Sequence, residues 1–166
     1  MARSKEKSVL LAAAGLLLAS LLISLLLYLL PGRSKRVLLF PIGQDRRLAG
    51  ETRFLPRKKG LEENIRLLVE EIVLGPATPN YQRVVPQDLT VQNVILVQNT
   101  LYISFSKEML FAAAELNQTV DEMIQAVGNS VLYNFPRVKD LYVFIEGQLP
   151  GEGPEGSVVF APEILY

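Results

Sequence analysis

Residues Thr90–Phe105 read TVQNVILVQNTLYISF, and this stretch decides the fold. Two alternating runs, Thr90–Val97 and Leu101–Phe105, flank Gln98-Asn99-Thr100 in the pattern of a β-hairpin. In the second strand Leu101, Ile103 and Phe105 point to one side, Tyr102 and Ser104 to the other. A hairpin alone is marginal in water and needs a helix or further strands over its apolar face. The flanking sequence supplies both.

Upstream, Leu61–Leu74 reads as an amphipathic helix. Leu61, Ile65, Leu68, Val69 and Ile72 recur at helical spacing, with Glu62, Glu63, Arg66, Glu70 and Glu71 on a wet opposite face. Glu62 and Glu63 suit the positive end of the helix dipole, and Gly75-Pro76 stops the helix. Paired glutamates suggest acid/base or metal chemistry only where they converge, and neighbours on a helix do not. Pro76–Pro86 is a loop with three prolines. Downstream, Met109–Leu116 is apolar but weakly patterned. Thr119 and Glu122 form a capping-box pattern ahead of a second helix with Val120, Met123, Ile124, Val127, Val131 and Leu132 on its core face. Pro136 ends that helix, and Asp140–Glu146 reads as a buried strand.

Nearer the N-terminus, Val37–Ile42 is a short strand interrupted by Pro41 and closed at Gly43. A second strand spans Leu48–Leu55 within the basic stretch Arg46–Lys59. That charge suits a solvated strand edge guarded by Arg and Lys, with a lipid-headgroup or partner patch as the functional alternative.

Ser8–Leu30, SVLLAAAGLLLASLLISLLLYLL, contains no charge. At about 1.5 Å per residue it would rise roughly 34 Å as a helix, enough to cross a hydrocarbon core of about 30 Å. It ends in bulky leucines followed by Arg33, Lys35 and Arg36, without a small-x-small cleavage site, and is expected to be an uncleaved signal-anchor in contact with membrane lipid. Residues 1–36 are therefore read as a basic tail and transmembrane anchor, 37–150 as one α+β domain, and 151–166 as a Gly-rich turn with an apolar end. Cations on the two flanks of the run nearly balance, leaning toward a cytoplasmic domain, so charge does not decide orientation.

Composition excludes several functions. The chain of 166 residues has no Cys and no His, which removes disulfides, thiolate nucleophiles, imidazole bases, Cys/His zinc sites and a lipoprotein cysteine. Through Arg36 six Lys/Arg face one Glu; beyond it eleven face sixteen Asp/Glu. A mildly acidic domain does not suit nucleic acid, and none is expected as a partner. Ser104 to Lys107 matches S-x-x-K, but at a strand end and without companion motifs. Gly151, Gly153 and Gly156 match G-x-G-x-x-G, yet Glu152 and Glu155 would repel a pyrophosphate, Pro154 breaks the loop, and no amphipathic helix follows. Asn117-Gln118-Thr119 has only the form of a glycosylation sequon. No catalytic, cofactor-binding or metal-ligating residue is expected, and no cofactor. Val158–Tyr166 is too apolar to stay in water; it reads as a clasp folded onto the core or as a strand for a partner's sheet edge.

Three pieces in order carry a family resemblance: LLVEEIVLGP, VVPQDLTVQNVILVQNTLYISFS and VLYNFPRVKDLYVFIEG. The span Leu61–Gly147 resembles the GerMN domain of sporulation and spore-germination proteins. Ser104 stands where that family commonly has Asp, and the lipid-modified Cys of many relatives is replaced here by Ser8–Leu30. The resemblance implies a small mixed sheet with two helices packed on one face, like the ring-building motif of secretion and sporulation assemblies. It further implies an extracytoplasmic domain at the cytoplasmic membrane, acting in structure or assembly rather than catalysis. Other envelope proteins, or a second copy of the chain, are the expected partners. A binding module for a small molecule or cell-wall fragment is the alternative, to be recognised by a pocket with aromatic walls and convergent polar groups. A flat sheet with an open edge favours the assembly role.

Overall fold

The computed structural model describes residues 13–25, 32–44, 46–116 and 118–148, without the side chains of 112–115. The chain divides into two units, Met1–Gly32 and Arg33–Tyr166. In the first, residues 13–25 form a helix, α1, whose side chains are exposed. Among the described residues no helix is long and apolar enough to cross a membrane; the remainder of Ser8–Leu30 lies outside them.

The second unit is α+β. It begins with two antiparallel ten-residue strands, β1 (Arg33–Ile42) and β2 (Arg47–Pro56), which form their own sheet. Both outrun the sequence expectation, because β1 opens on the polar run Arg33-Ser34-Lys35-Arg36 and β2 on the exposed Arg47, which carry no apolar strand pattern. Helix α2 (Leu61–Leu74) has the predicted bounds, with Ile65, Leu68, Val69 and Ile72 buried. The hairpin follows as β3 (Val91–Val97) and β4 (Thr100–Phe105), with a bulge at Gln92. Leu101, Ile103 and Phe105 are buried as their alternation requires.

Glu108–Leu116 is a helix, α3, where the sequence offered only an apolar stretch. Met109 is buried while Leu110 and Phe111 face outward, so the stretch shows no amphipathic period. Helix α4 (Val120–Asn134) opens with the predicted capping box: the Glu122 N–H donates to Thr119 Oγ1 and the Thr119 N–H to the Glu122 carboxylate. Strand β5 (Asp140–Ile145) then pairs parallel with β4, completing the mixed sheet β3–β4–β5. The sequence presented β5 as buried; it alternates, with Leu141, Val143 and Ile145 inward and Tyr142 and Phe144 half exposed. Both sheets and all three helices of this unit share one core that includes Phe40, Leu68, Phe105, Met109, Ile124 and Leu141.

Helix α4 also closes one edge of β1. The Leu39 N–H donates to Ser130 Oγ at 3.0 Å, and the Val37 N–H to Asn134 Oδ1 at 2.9 Å. Asn134 Nδ2 returns a bond to the Val37 carbonyl, so two helical side chains act as a short partner strand. The Gly-rich turn and apolar segment at 151–166 lie outside the described residues.

Candidate functional site

The most concentrated polar chemistry centres on Glu51 of β2. Its carboxylate accepts from the Ala77 and Thr78 N–H groups at 3.0 and 2.9 Å and from Arg53 Nε at 2.8 Å. Arg53 also reaches Glu71 Oε2 at 2.9 Å and the Gly75 carbonyl. Burial pushes the Glu51 carboxyl up, but bonds from Thr78, Arg53 and Ala77 outweigh it and hold the group at about 2. Arg83 then donates to the carbonyls of Val73 and Leu74, satisfying the C-terminus of α2. Gly75, at φ 89°, is required here, since a Cβ would lie 2.9 Å from the Arg83 guanidinium carbon. Every charge in this cluster is committed to main chain or to a counter-charge. It anchors the three-proline loop and presents no free acid, base or nucleophile.

The polar face of α2 is likewise not simply wet. Glu62 accepts from the Leu96 N–H at 2.6 Å, and Arg66 donates to the carbonyls of Val91 and Gln92. These side chains cap the outer edge of β3, as Ser130 and Asn134 cap β1. Periodicity placed them correctly, but their partners are 25 or more residues away and left no local signal.

A different surface remains. The outer face of β3–β4–β5 carries three cross-strand rows: Asn93–Ser104–Phe144, Ile95–Tyr102–Tyr142 and Val97–Thr100–Asp140. Tyr102 and Tyr142 stack with ring centroids 5.4 Å apart, and Phe144 tilts against Tyr102 at 6.3 Å. Ile95 and Val97 are 50% and 55% exposed, so an apolar strip continues beside the rings. The rim is polar. Ser104 Oγ donates to Gln92, and Gln92 donates to Glu146, which also accepts the Lys107 N–H. This aromatic centre with a bonded polar rim has the anatomy of a protein-binding surface.

The residues weighed from sequence are not drawn together into a site. Ser104 lies on β4 bonded to Gln92, and Lys107 lies beyond the strand, its N–H held by Glu146. Gly151, Gly153, Gly156 and Asn117 are outside the described residues; Gln118 is buried and donates to the Arg83 carbonyl. Tyr142 and Phe144 were missed as surface residues. The alternation in DLYVFIEG was the available signal, but only the parallel register beside β4 places their rings against Tyr102.

One cavity, about 120 Å³, lies among Pro41, Arg46, Leu48 and Glu122, where Arg46 approaches Glu122 at 3.7 Å. Small-molecule sites usually run to about 300–1,000 Å³. A more open depression of about 490 Å³ beside Arg83, Pro86, Asp88 and Leu116 falls within that range but has no aromatic wall.

A mixed α+β module with a bare aromatic sheet face has relatives among known proteins. The sequence matches the Germane family, described as "Sporulation and spore germination", over residues 27–149, and the chain belongs to that family. Its fold is similar to the tandem GerMN domains of the sporulation protein GerM from Bacillus subtilis, with TM-score 0.54 and 23% identity. That match covers 78% of this chain and 45% of the tandem structure, so the chain spans about half of it. The first GerMN domain of the same protein matches with TM-score 0.52 and 22% identity, covering 77% of this chain and 94% of that domain. No curated protein matches.

Proposed function

We propose that this protein is a membrane-anchored, non-enzymatic assembly module of the bacterial cell envelope. In this reading Ser8–Leu30 holds the GerMN domain at the outer surface of the cytoplasmic membrane, and the domain binds other envelope proteins or a second copy of itself. Family membership supports a place in sporulation or germination. The observation that carries the reading is the outer sheet face, where Ile95, Tyr102, Tyr142 and Phe144 form one apolar strip. Buried aromatics at the centre of an interface supply much of its binding energy, and a pre-stacked pair loses little side-chain freedom on binding. Among the described residues the charges around Glu51 are committed, and neither the cavity beside Arg46 nor the depression beside Arg83 has an aromatic wall; both support the assembly reading over catalysis or ligand sensing.

Photo-crosslinking in cells tests it, with the reactive residue placed at Ile95 on the sheet face and at Glu70 on α2. Crosslinks to envelope proteins from Ile95, and not from Glu70, are expected, and Tyr142→Ser with Phe144→Ser should abolish them while the domain stays folded. Crosslinks confined to Glu70 would refute this face as the working surface.

A further inference from the structure

Ten of the domain's fourteen cations fall into two groups; of the others, Lys107, Arg137 and Lys139 are exposed elsewhere along the chain. Arg36, Arg46, Arg53, Arg66 and Arg83 each donate to a main-chain carbonyl elsewhere in the fold. Arg33, Lys35, Arg57, Lys58 and Lys59 are exposed and have no ion-pair partner among the described residues. The register of the first hairpin gathers this second group. Arg33 lies opposite Pro56 and Lys35 opposite Phe54, and the chain runs straight on into Arg57-Lys58-Lys59. All five cations therefore sit at one end of the β1–β2 sheet. Glu62 and Glu63 are the nearest exposed carboxylates in sequence, and Glu62 is engaged by the Leu96 N–H of β3. Burial, and to a lesser extent the charge of Arg57, lower the Arg36 guanidinium below its ordinary value.

Two further features point to what this end meets. Phe54 shares the outer face with Lys35 and is 64% exposed, although packing gives it no reason to be aromatic. An aromatic ring among flanking cations suits the boundary between headgroups and acyl chains. Chain length supplies the second. Only Pro31 and Gly32 separate the uncharged run from Arg33, and two extended residues span about 7 Å.

We propose that this end of the hairpin is a docking surface for anionic phospholipid headgroups, with the five cations on phosphates and Phe54 inserted at the interface. The surface acts as a second membrane contact in addition to the anchor. The proposal rests on the membrane-anchored reading.

The chain contains no Trp, so Phe54→Trp in the full-length protein gives a single fluorescent reporter at an exposed site. The protein is reconstituted into vesicles of phosphatidylcholine alone or with roughly one-third phosphatidylglycerol, a fraction at which each basic residue near the surface is attracted appreciably. Flotation after an alkaline wash reads the anchor separately. The expected result is flotation with both vesicles, but a blue-shifted indole quenched by brominated lipid only with phosphatidylglycerol. That shift should vanish at about 1 M salt, where the Debye length is about 3 Å, and when Arg33, Lys35, Arg57, Lys58 and Lys59 are changed to Gln. Flotation with an indole indifferent to lipid charge overturns the docking surface alone. Protein that floats with neither vesicle overturns the anchor, and the docking surface with it.

Discussion

The surroundings of β1–β2 and the outer face of β3–β4–β5 use side chains in opposite ways. Around β1–β2, Ser130, Asn134, Glu51 and Arg53 are tied to main-chain groups or to counter-charges. On the outer face of β3–β4–β5, Tyr102, Tyr142 and Phe144 touch one another, and Ser104 meets only the side chain of Gln92. Removing a group of the first kind strands a buried partner, whereas removing one of the second kind strands nothing. A surface that stability does not require is one that binding is free to use.

The largest effect should come from Glu51. Glu51→Gln leaves the half-buried Arg53 with Glu71 alone as counter-charge and weakens two main-chain bonds, and should cost roughly 2–3 kcal/mol in chemical denaturation. Its sign with pH is defined. The folded carboxyl, held at about 2, lies below the ordinary unfolded value of about 4.3. Its contribution is therefore complete above the unfolded value and is lost as pH falls toward about 2. Urea titrations at descending pH should show the native protein losing stability through that window, with the decline reduced in Glu51→Gln. Parallel pH profiles for the two proteins would break the assignment of this cluster as the anchor of the loop.

Ser130→Ala comes next. It leaves the Leu39 N–H without its acceptor beside a fully buried position and should cost about 1–2 kcal/mol. Amide exchange at Leu39 should rise more than at Ile103 in the other sheet. Uniform acceleration in both would mean that α4 does not serve as a local partner of β1.

Smallest should be Tyr102→Thr, which puts a β-branched strand former in place of the ring and removes the stack with Tyr142. A loss of about 1 kcal/mol or less is expected, with the melting curve nearly superimposable. A loss as large as that of Glu51→Gln would make the aromatic strip structural and remove the contrast between the sheets.

Much of the architecture was legible because each element carries its own short-range pattern. Helix α2 has apolar residues at helical spacing and a Gly-Pro stop, and the capping box at Thr119 marks the start of α4. The second strand of the hairpin alternates strictly from Leu101 to Phe105, and the concatenation of these pieces was enough to suggest the family. Helix α3 was not legible, since apolar residues on both its faces erase the period. The extra length of β1 and β2 was hidden for the reverse reason: Arg33, Lys35 and Arg47 are exposed, and no burial contrast marks those ends.

The sequence by itself determined where α2, the β3–β4 hairpin and α4 lie, and which chemistries a chain without Cys or His cannot perform. Those properties depend on neighbours within a few residues or on composition alone. Only the tertiary structure decided that Tyr102 stacks on Tyr142, that Ser130 and Asn134 finish the edge of β1, and that Glu51 holds the loop after α2. Each of these joins residues separated by about 26 to 97 positions. Strand register and helix docking set such pairings, and neither leaves a local trace in the order of the residues.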